Sequence, residues 1–234
     1  MIIYSVYMKV KRVFIASALV WGIVVFGFSA GISAMPYQPD GSIRIITQSA
    51  PGETNSDVNR VEWVVTTKKT SVGRAELSFA MAGSDQPFCR LTIGASNVVP
   101  GNLSSASLLW NDPDRQPQVI QQGDILIVPG SPVPCDLLPL DMLTGKKDAK
   151  NFEIRREVAG QAFVDNFEVT YAGIDGATAR KNGWLTGDDL SGQLMMITMR
   201  NVRTRELVVR QLWAPGADWW LFEETPYRQS WRVR

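Results

Sequence analysis

The chain contains no histidine and only two cysteines among its 234 residues. Without an imidazole there is no Ser-His-Asp or Cys-His catalysis. Zinc, copper, non-haem iron and haem sites that depend on histidine are excluded for the same reason. Two thiols cannot by themselves hold an iron–sulfur cluster or an all-cysteine zinc site. Excess charge of one sign is also missing. The 24 basic and 23 acidic residues leave a formal +1, which makes no electrostatic case for nucleic acid. The composition, 45% hydrophobic and 20% charged, is that of a globular chain and not of a disordered one.

Long apolar runs are absent except at one place. Residues 13–28 read VFIASALVWGIVVFGF, after Lys9, Lys11 and Arg12 and before a small-residue stretch, Ser29-Ala30-Gly31-Ile32-Ser33-Ala34. A basic start, an apolar centre and a small-residue site form the pattern of a secretory signal peptide. Residues 1–34 are therefore expected to be an export helix, with Met8 as a plausible alternative start. The competing reading is an uncleaved anchor, because residues 13–35 carry no charge and are long enough to span a bilayer. Either way the remainder leaves the cytoplasm, since the basic residues stay inside. Lys9, Lys11 and Arg12 are the only charged residues before position 35, so the rest holds 21 basic and 23 acidic residues, a net of −2.

Cys89 and Cys135 form an even pair in a chain expected to be exported, which predicts one structural disulfide. Closing a loop of about 46 residues stabilises by roughly 4 kcal/mol in the chain-entropy picture. A reactive thiol needs a base or a low-pKa setting, and the chain has neither histidine nor a CxxC pair.

Helix periodicity is weak after residue 40, and alternation of period two is frequent. Residues 61–65 (VEWVV) and 75–81 (AELSFAM) alternate on either side of a polar stretch, as in a hairpin. Residues 124–128 (DILIV) sit between Gly123 and Pro129-Gly130, as a short buried strand does. Phe163, Phe167, Val169 and Tyr171 share one parity and predict a strand over 162–172. Residues 193–200 and 206–213 flank the polar turn 201–205. Residues 96–118 read as a long loop with at most one short strand, and residues 144–151 as a polar linker. The fold class is all-β: an antiparallel sandwich or partly closed barrel after an N-terminal apolar helix. Two regions are expected, 35–143 with the cysteines and 151–234 rich in Trp and Arg, either separate or forming one continuous domain.

The C-terminal aromatics are the clearest functional signal. Trp213, Trp219, Trp220, Phe222, Tyr227 and Trp231 lie close together, with a Pro215-Gly216 turn among them. If Trp219 and Trp220 stand on a strand they face opposite sides. One ring then enters the core. The other packs on a second layer or forms a surface for a sugar, an apolar ligand or a partner. Arg203 and Arg205 crowd the neighbouring hairpin turn, and Arg210 follows on the next strand. Trp213, Trp219, Trp220, Arg203, Arg205 and Arg210 are the candidate binding residues. Residues 151–234 nevertheless carry eleven basic and eleven acidic side chains, so the region is not basic as a whole.

Three pieces in order carry a family resemblance. They are Val158-Ala159-Gly160-Gln161-Ala162-Phe163 leading into a strand, the stretch 194–199, and the Trp213-Ala214-Pro215-Gly216 turn with aromatics after it. Residues 158–224 resemble the closing strands of bacterial periplasmic envelope proteins built as open, half-barrel β-sheets. The resemblance implies an exported β-domain that cradles an apolar or glycan-like ligand, and it implies no catalytic residues.

Paired carboxylates occur at Asp188-Asp189 and Glu223-Glu224. A glycosidase needs two carboxyls facing each other across a cleft. Strand alternation lets each doublet supply only one per face, so a pair such as Asp189 with Glu223 would have to come from distant segments. Asp112-x-Asp114 and Asp188-Asp189 do not match a calcium loop. The expected protein is a non-enzymatic envelope component without cofactor or metal. It binds an envelope protein, a glycan or an apolar ligand through its C-terminal aromatic and arginine region. Nucleic acid is not an expected partner, and membrane contact follows only if residues 13–35 stay uncleaved. The alternatives are a carboxylate-dependent glycan hydrolase and a membrane-anchored subunit of an envelope assembly.

Overall fold

The computed structural model describes residues 41–49, 60–71, 74–95, 103–123, 125–139, 150–158, 160–186, 192–215, 217 and 219–233. The expected signal peptide or anchor, Asp188 and Asp189 lie outside them. Among the described residues, no helix is long and apolar enough to cross a membrane.

Thirteen strands are described. The first five are β1 Ser42–Ser49, β2 Val61–Ser71, β3 Arg74–Met81, β4 Cys89–Ala95 and β5 Leu103–Trp110. Two short ones follow, β6 Ile120–Gln122 and β7 Ile125–Ile127. The rest are β8 Lys150–Val158, β9 Gln161–Asp175, β10 Gln193–Asn201, β11 Leu207–Trp213, β12 Phe222–Glu224 and β13 Arg228–Val233. Among the described residues there is one α-helix, α1 Gly176–Lys181, which follows β9. Asp175 caps its start by accepting from the Thr178 amide at 2.8 Å. Gly183, at φ +72°, stands just past its end, where a left-handed residue is needed.

Eleven strands form one antiparallel sheet in the order β5-β4-β3-β2-β1-β13-β12-β11-β10-β9-β8. Among the described residues the chain enters the sheet at its centre with β1, steps outward to the β5 edge, crosses to the opposite edge at β8 and steps back inward to β13. The last strand therefore pairs with the first, Thr47 opposite Ser230. The all-β expectation is met by this one large sheet and a separate two-stranded ribbon of β6 and β7. Strands from both expected regions share the large sheet.

The sheet is a barrier with two different faces. On one face, period-two alternation buries Ile45, Trp63, Val65, Leu77, Phe79, Cys89 and Leu91. The crossover between the edges covers this face. Its residues Ile125, Leu126, Ile127, Val128, Val133, Cys135, Leu137 and Leu138 are all buried. Leu126 and Leu137 exchange backbone hydrogen bonds, so the crossover doubles back on itself. It grips the sheet at widely separated strands. The Gln121 side chain donates to the Ala106 carbonyl of β5, Gln211 of β11 donates to the Asp136 carbonyl at 2.9 Å, and Tyr171 of β9 donates to the Pro139 carbonyl at 3.1 Å. On the other face, α1 and the residues after it cover the β10–β12 side. Ala179 joins Leu194, Met196, Leu212 and Phe222 there, and Trp184 stacks on Phe222 with centroids 6.2 Å apart.

Two segments differ from the sequence expectation. The stretch 96–118 contains an eight-residue edge strand, β5. Trp219 and Trp220 are not on a strand at all. They lie in the loop between β11 and β12, whose shape is fixed by the Leu221 amide donating to the Leu212 carbonyl.

Candidate functional site

Thr47, Ser230, Glu223 and Gln211 stand side by side on β1, β13, β12 and β11. All four are buried, so a polar row runs under the crossover through an otherwise apolar layer. The row is satisfied internally, as buried polar groups must be. Thr47 and Ser230 share a hydroxyl hydrogen bond of 3.1 Å, and Gln211 donates to Glu223 Oε2 at 2.6 Å.

Arg228 sits two residues before Ser230 on β13 and projects to the same face, with its side chain only 3% exposed. Its Nη2 lies 2.6 Å from Asp136 Oδ2 of the crossover and 2.6 Å from Glu223 Oε1 of β12. Its Nη1 donates to the Ser131 carbonyl at 2.9 Å. Asp136 turns its other oxygen to the Val128 amide at 2.7 Å. One guanidinium therefore ties the crossover to the middle of the sheet. Nε has no hydrogen-bond partner among the described residues.

The three charges set one another's protonation. Burial pushes the Glu223 carboxyl up to about 7; the Asp136 charge adds to this, and Arg228 and Gln211 oppose it. Burial alone would lower Arg228, but the two facing carboxylates hold it above its ordinary value. The folded state keeps the Glu223 proton between its ordinary 4.5 and about 7, a window in which the unfolded chain has lost it. Stability from this group is full below the window and falls as pH rises through it. Glu223→Gln is expected to remove that fall. In urea unfolding at pH 5 and pH 8, wild type should lose roughly 2.5 kcal/mol more than the variant. Parallel profiles would show that Glu223 does not titrate there.

Asp136 and Glu223 are within about 5 Å of each other, since both hold the same nitrogen. That is the range of a retaining glycosidase pair. Here, however, Arg228 Nη2 occupies the space between them, and Glu223 is 0% exposed. A glycosidic bond has no way in between these two groups.

Arg228 and Asp136 also form the floor of a cleft of about 530 Å³. Ile127 and Val128 of the crossover, Phe167 of β9, and Leu207 and Val208 of β11 supply apolar walls. Pro226 and Tyr227 form one lip, and Asp165 and Glu206 add acidic groups. Tyr227 is 46% exposed. The β10–β11 register shifts between Met199 and Arg200, opposite Val209 and Leu207. This bulge turns the successive residues Leu207 and Val208 toward the same cleft, which a regular strand does not do.

The sequence-selected residues divide sharply. Trp213, Trp219 and Trp220 are buried at 2, 2 and 1% exposure, so of the two fates expected for the second ring of the Trp219–Trp220 pair, packing within the protein is the one observed. Strand alternation does not apply to a loop, and this loop folds both rings inward. Trp219 packs against Phe79 of β3 at 6.3 Å and against Trp220 at 5.9 Å. Arg210 is also committed: it pairs with Glu224 and lies over the Trp184 ring, 5.2 Å from its centroid. Arg203 and Arg205 are exposed on the hairpin turn beside the cleft but do not line it. Arg205 reaches Glu168 at 3.5 Å. Asp112 caps a 3-10 turn by accepting from the Asp114 amide. The Glu223-Glu224 doublet divides as alternation requires, Glu223 inward to Arg228 and Glu224 outward to Arg210.

Sequence reasoning missed Arg228, Asp136 and the cleft. Arg228 was visible only as one of many C-terminal arginines. Its partner Asp136 is 92 residues away, with no local pattern to flag it. Compared with known proteins, the chain matches no family model, no curated protein and no solved structure.

Proposed function

We propose that this chain is an exported, non-enzymatic envelope protein whose sheet is bent into an open half-barrel around the crossover. Its cleft holds a neutral, single-chain amphiphile. The curvature reading is supported by how the crossover is held. Gln121 of the crossover donates to the Ala106 carbonyl of β5, and Gln211 of β11 donates to the Asp136 carbonyl. Those strands are seven steps apart in the sheet, roughly 34 Å if the sheet were flat. The crossover folds back on itself between those two points through Leu126 and Leu137, and curvature shortens the span it must cover. Export is supported by the basic start and apolar run of residues 9–28. A fixed anchor at 13–35 is the second form of the same reading.

The observation that carries the ligand class is an apolar cleft walled by Ile127, Val128, Phe167, Leu207 and Val208 over the internally balanced Arg228–Asp136 pair. The walls are mostly aliphatic and the Phe167 ring is buried, which favours a hydrocarbon chain over a sugar, with the exposed Tyr227 ring standing only at the lip. Charge then selects the head group. Arg228 is already balanced by Asp136 and Glu223, and Asp165 and Glu206 would repel a carboxylate. An ester or amide carbonyl fits better than an anion. The volume suits a ligand of this size.

A pyrene-labelled monoacylglycerol tests the proposal by fluorescence titration. Wild type should bind it saturably. Val208→Arg, which fills the cleft with a charged side chain, should weaken binding at least about tenfold. Phe163→Ser, at an exposed position of β9 outside the cleft, should leave binding unchanged. Equal binding by wild type and Val208→Arg would place the probe elsewhere and overturn the assignment.

A further inference from the structure

We propose that strand β8 is a docking edge for a second copy of this chain, which pairs with it antiparallel about a twofold axis at Ile154. The large sheet has two edges, β5 and β8. The β5 edge is engaged by the crossover, since Gln121 of β6 donates to its Ala106 carbonyl. The β8 edge is open. Among the described residues, the backbone of residues 151–155 hydrogen-bonds to β9 alone. An open edge is a template for another strand, and charged side chains commonly blunt it. β8 carries charges, Glu153 and Arg155 among them. Their order, however, complements a second copy instead of repelling it.

Ile154 is the midpoint of β8, Lys150–Val158. Alternation exposes Asn151, Glu153 and Arg155 on one face, while Phe152 is half-buried and Ile154 buried on the other. A twofold axis at Ile154 sets Glu153 of each copy directly opposite Arg155 of the other. Within one chain Arg155 Nε already lies 2.9 Å from Glu153 Oε1. Across the axis, four charges of alternating sign therefore close into one cluster. On the covered face Ile154 stands opposite its own copy, and the two apolar layers run on into each other. The neighbouring registers that keep like faces together centre on residue 153 or 155. The first opposes Glu153 to Glu153, and the second opposes Arg155 to Arg155, which costs free energy in either case. The register at Ile154 avoids both and pairs the whole strand. A twofold uses up both β8 edges, so the product is a closed dimer and not a filament. No residue of β8 lines the cleft, so both clefts stay open.

Sedimentation velocity of the full chain at micromolar concentration in a mild detergent tests this. Cys89 and Cys135, expected to form a disulfide, stand as buried free thiols. A reductant is therefore included, so that disulfide-linked dimers are not counted. Wild type should be a dimer. Glu153→Arg and Arg155→Glu each turn both cross-axis pairs into like-charge pairs. Each should raise the dimer dissociation constant at least about tenfold. The double change Glu153→Arg with Arg155→Glu brings opposite signs together again and should restore the dimer. Both side chains are exposed, Glu153 by 49% and Arg155 by 81%, so every variant should keep the wild-type circular dichroism spectrum. A monomeric wild type would overturn the proposal. So would a double variant that stays monomeric, or species larger than a dimer. Association through the apolar run 13–28 is indifferent to these charges. It would leave both single reversals dimeric, and that result also overturns the proposal. None of these readouts depends on a ligand in the cleft.

Discussion

Replacing Arg228 with methionine is expected to cost about 3–5 kcal/mol of folding stability, the usual penalty for removing one partner from a buried ion pair. The guanidinium serves Asp136, Glu223 and the Ser131 carbonyl together. Its loss strands the Asp136 carboxylate in the interior and releases the crossover from the sheet. Glu223 can escape by keeping its proton, since it is pushed up to about 7 by burial even with Arg228 present. The cost should therefore be smaller at pH 5 than at pH 8. The triple change Arg228→Met, Asp136→Asn, Glu223→Gln should recover much of the loss. It removes every charge while an amide oxygen can still accept from the Val128 amide. Urea unfolding of the single and triple variants at both pH values checks this. A single variant within 1 kcal/mol of wild type, on the order of an exposed pair's worth, would mean that the cluster does not hold the crossover.

Trp220→Ala should be almost as damaging, by about 3–5 kcal/mol. The ring is 1% exposed and packs on Trp219, which in turn packs on Phe79. Trp219→Ala should behave similarly and also loosen the loop's hold on β3. Neither ring lines the cleft. At a temperature where the variants remain folded, they should therefore bind the pyrene-labelled monoacylglycerol as wild type does. Thermal unfolding followed by the binding titration separates the two roles. Retained stability with lost binding would restore the view that a tryptophan surface carries recognition.

What the sequence made legible was local. Alternation over 61–65 and 75–81 corresponds to the β2–β3 hairpin, and the shared parity of Phe167, Val169 and Tyr171 falls within β9. These strands have one buried and one open face, so their pattern is strong. β5 was hidden because its sequence, LSSASLLW, is half small and polar, as suits an edge. β8 begins inside the stretch taken as a polar linker, with Lys150, Glu153 and Arg155 along another edge. Helix α1 is too short to show a period. The pairing of β1 with β13 joins the first and last described strands of the chain at the centre of the sheet, and no local signal announces such a contact. The same holds for the site. Glu223 was recognised as one half of a doublet that must divide between faces. Its partners Arg228 and Asp136 come together only once the crossover is laid over the sheet. The opposite-face argument for Trp219 and Trp220 does not apply, because the pair lies in a loop and not on a strand.

The central claim is that a neutral amphiphile lies in the cleft over the Arg228–Asp136 floor. The most direct measurement is the ¹⁵Nε–¹Hε resonance of Arg228, assigned by its disappearance in Arg228→Lys and followed by NMR during titration with unlabelled monoacylglycerol. A saturable shift of that resonance, lost in Val208→Arg, is the predicted result. An unmoved Arg228 resonance at a ligand concentration that saturates the fluorescence titration would contradict the account.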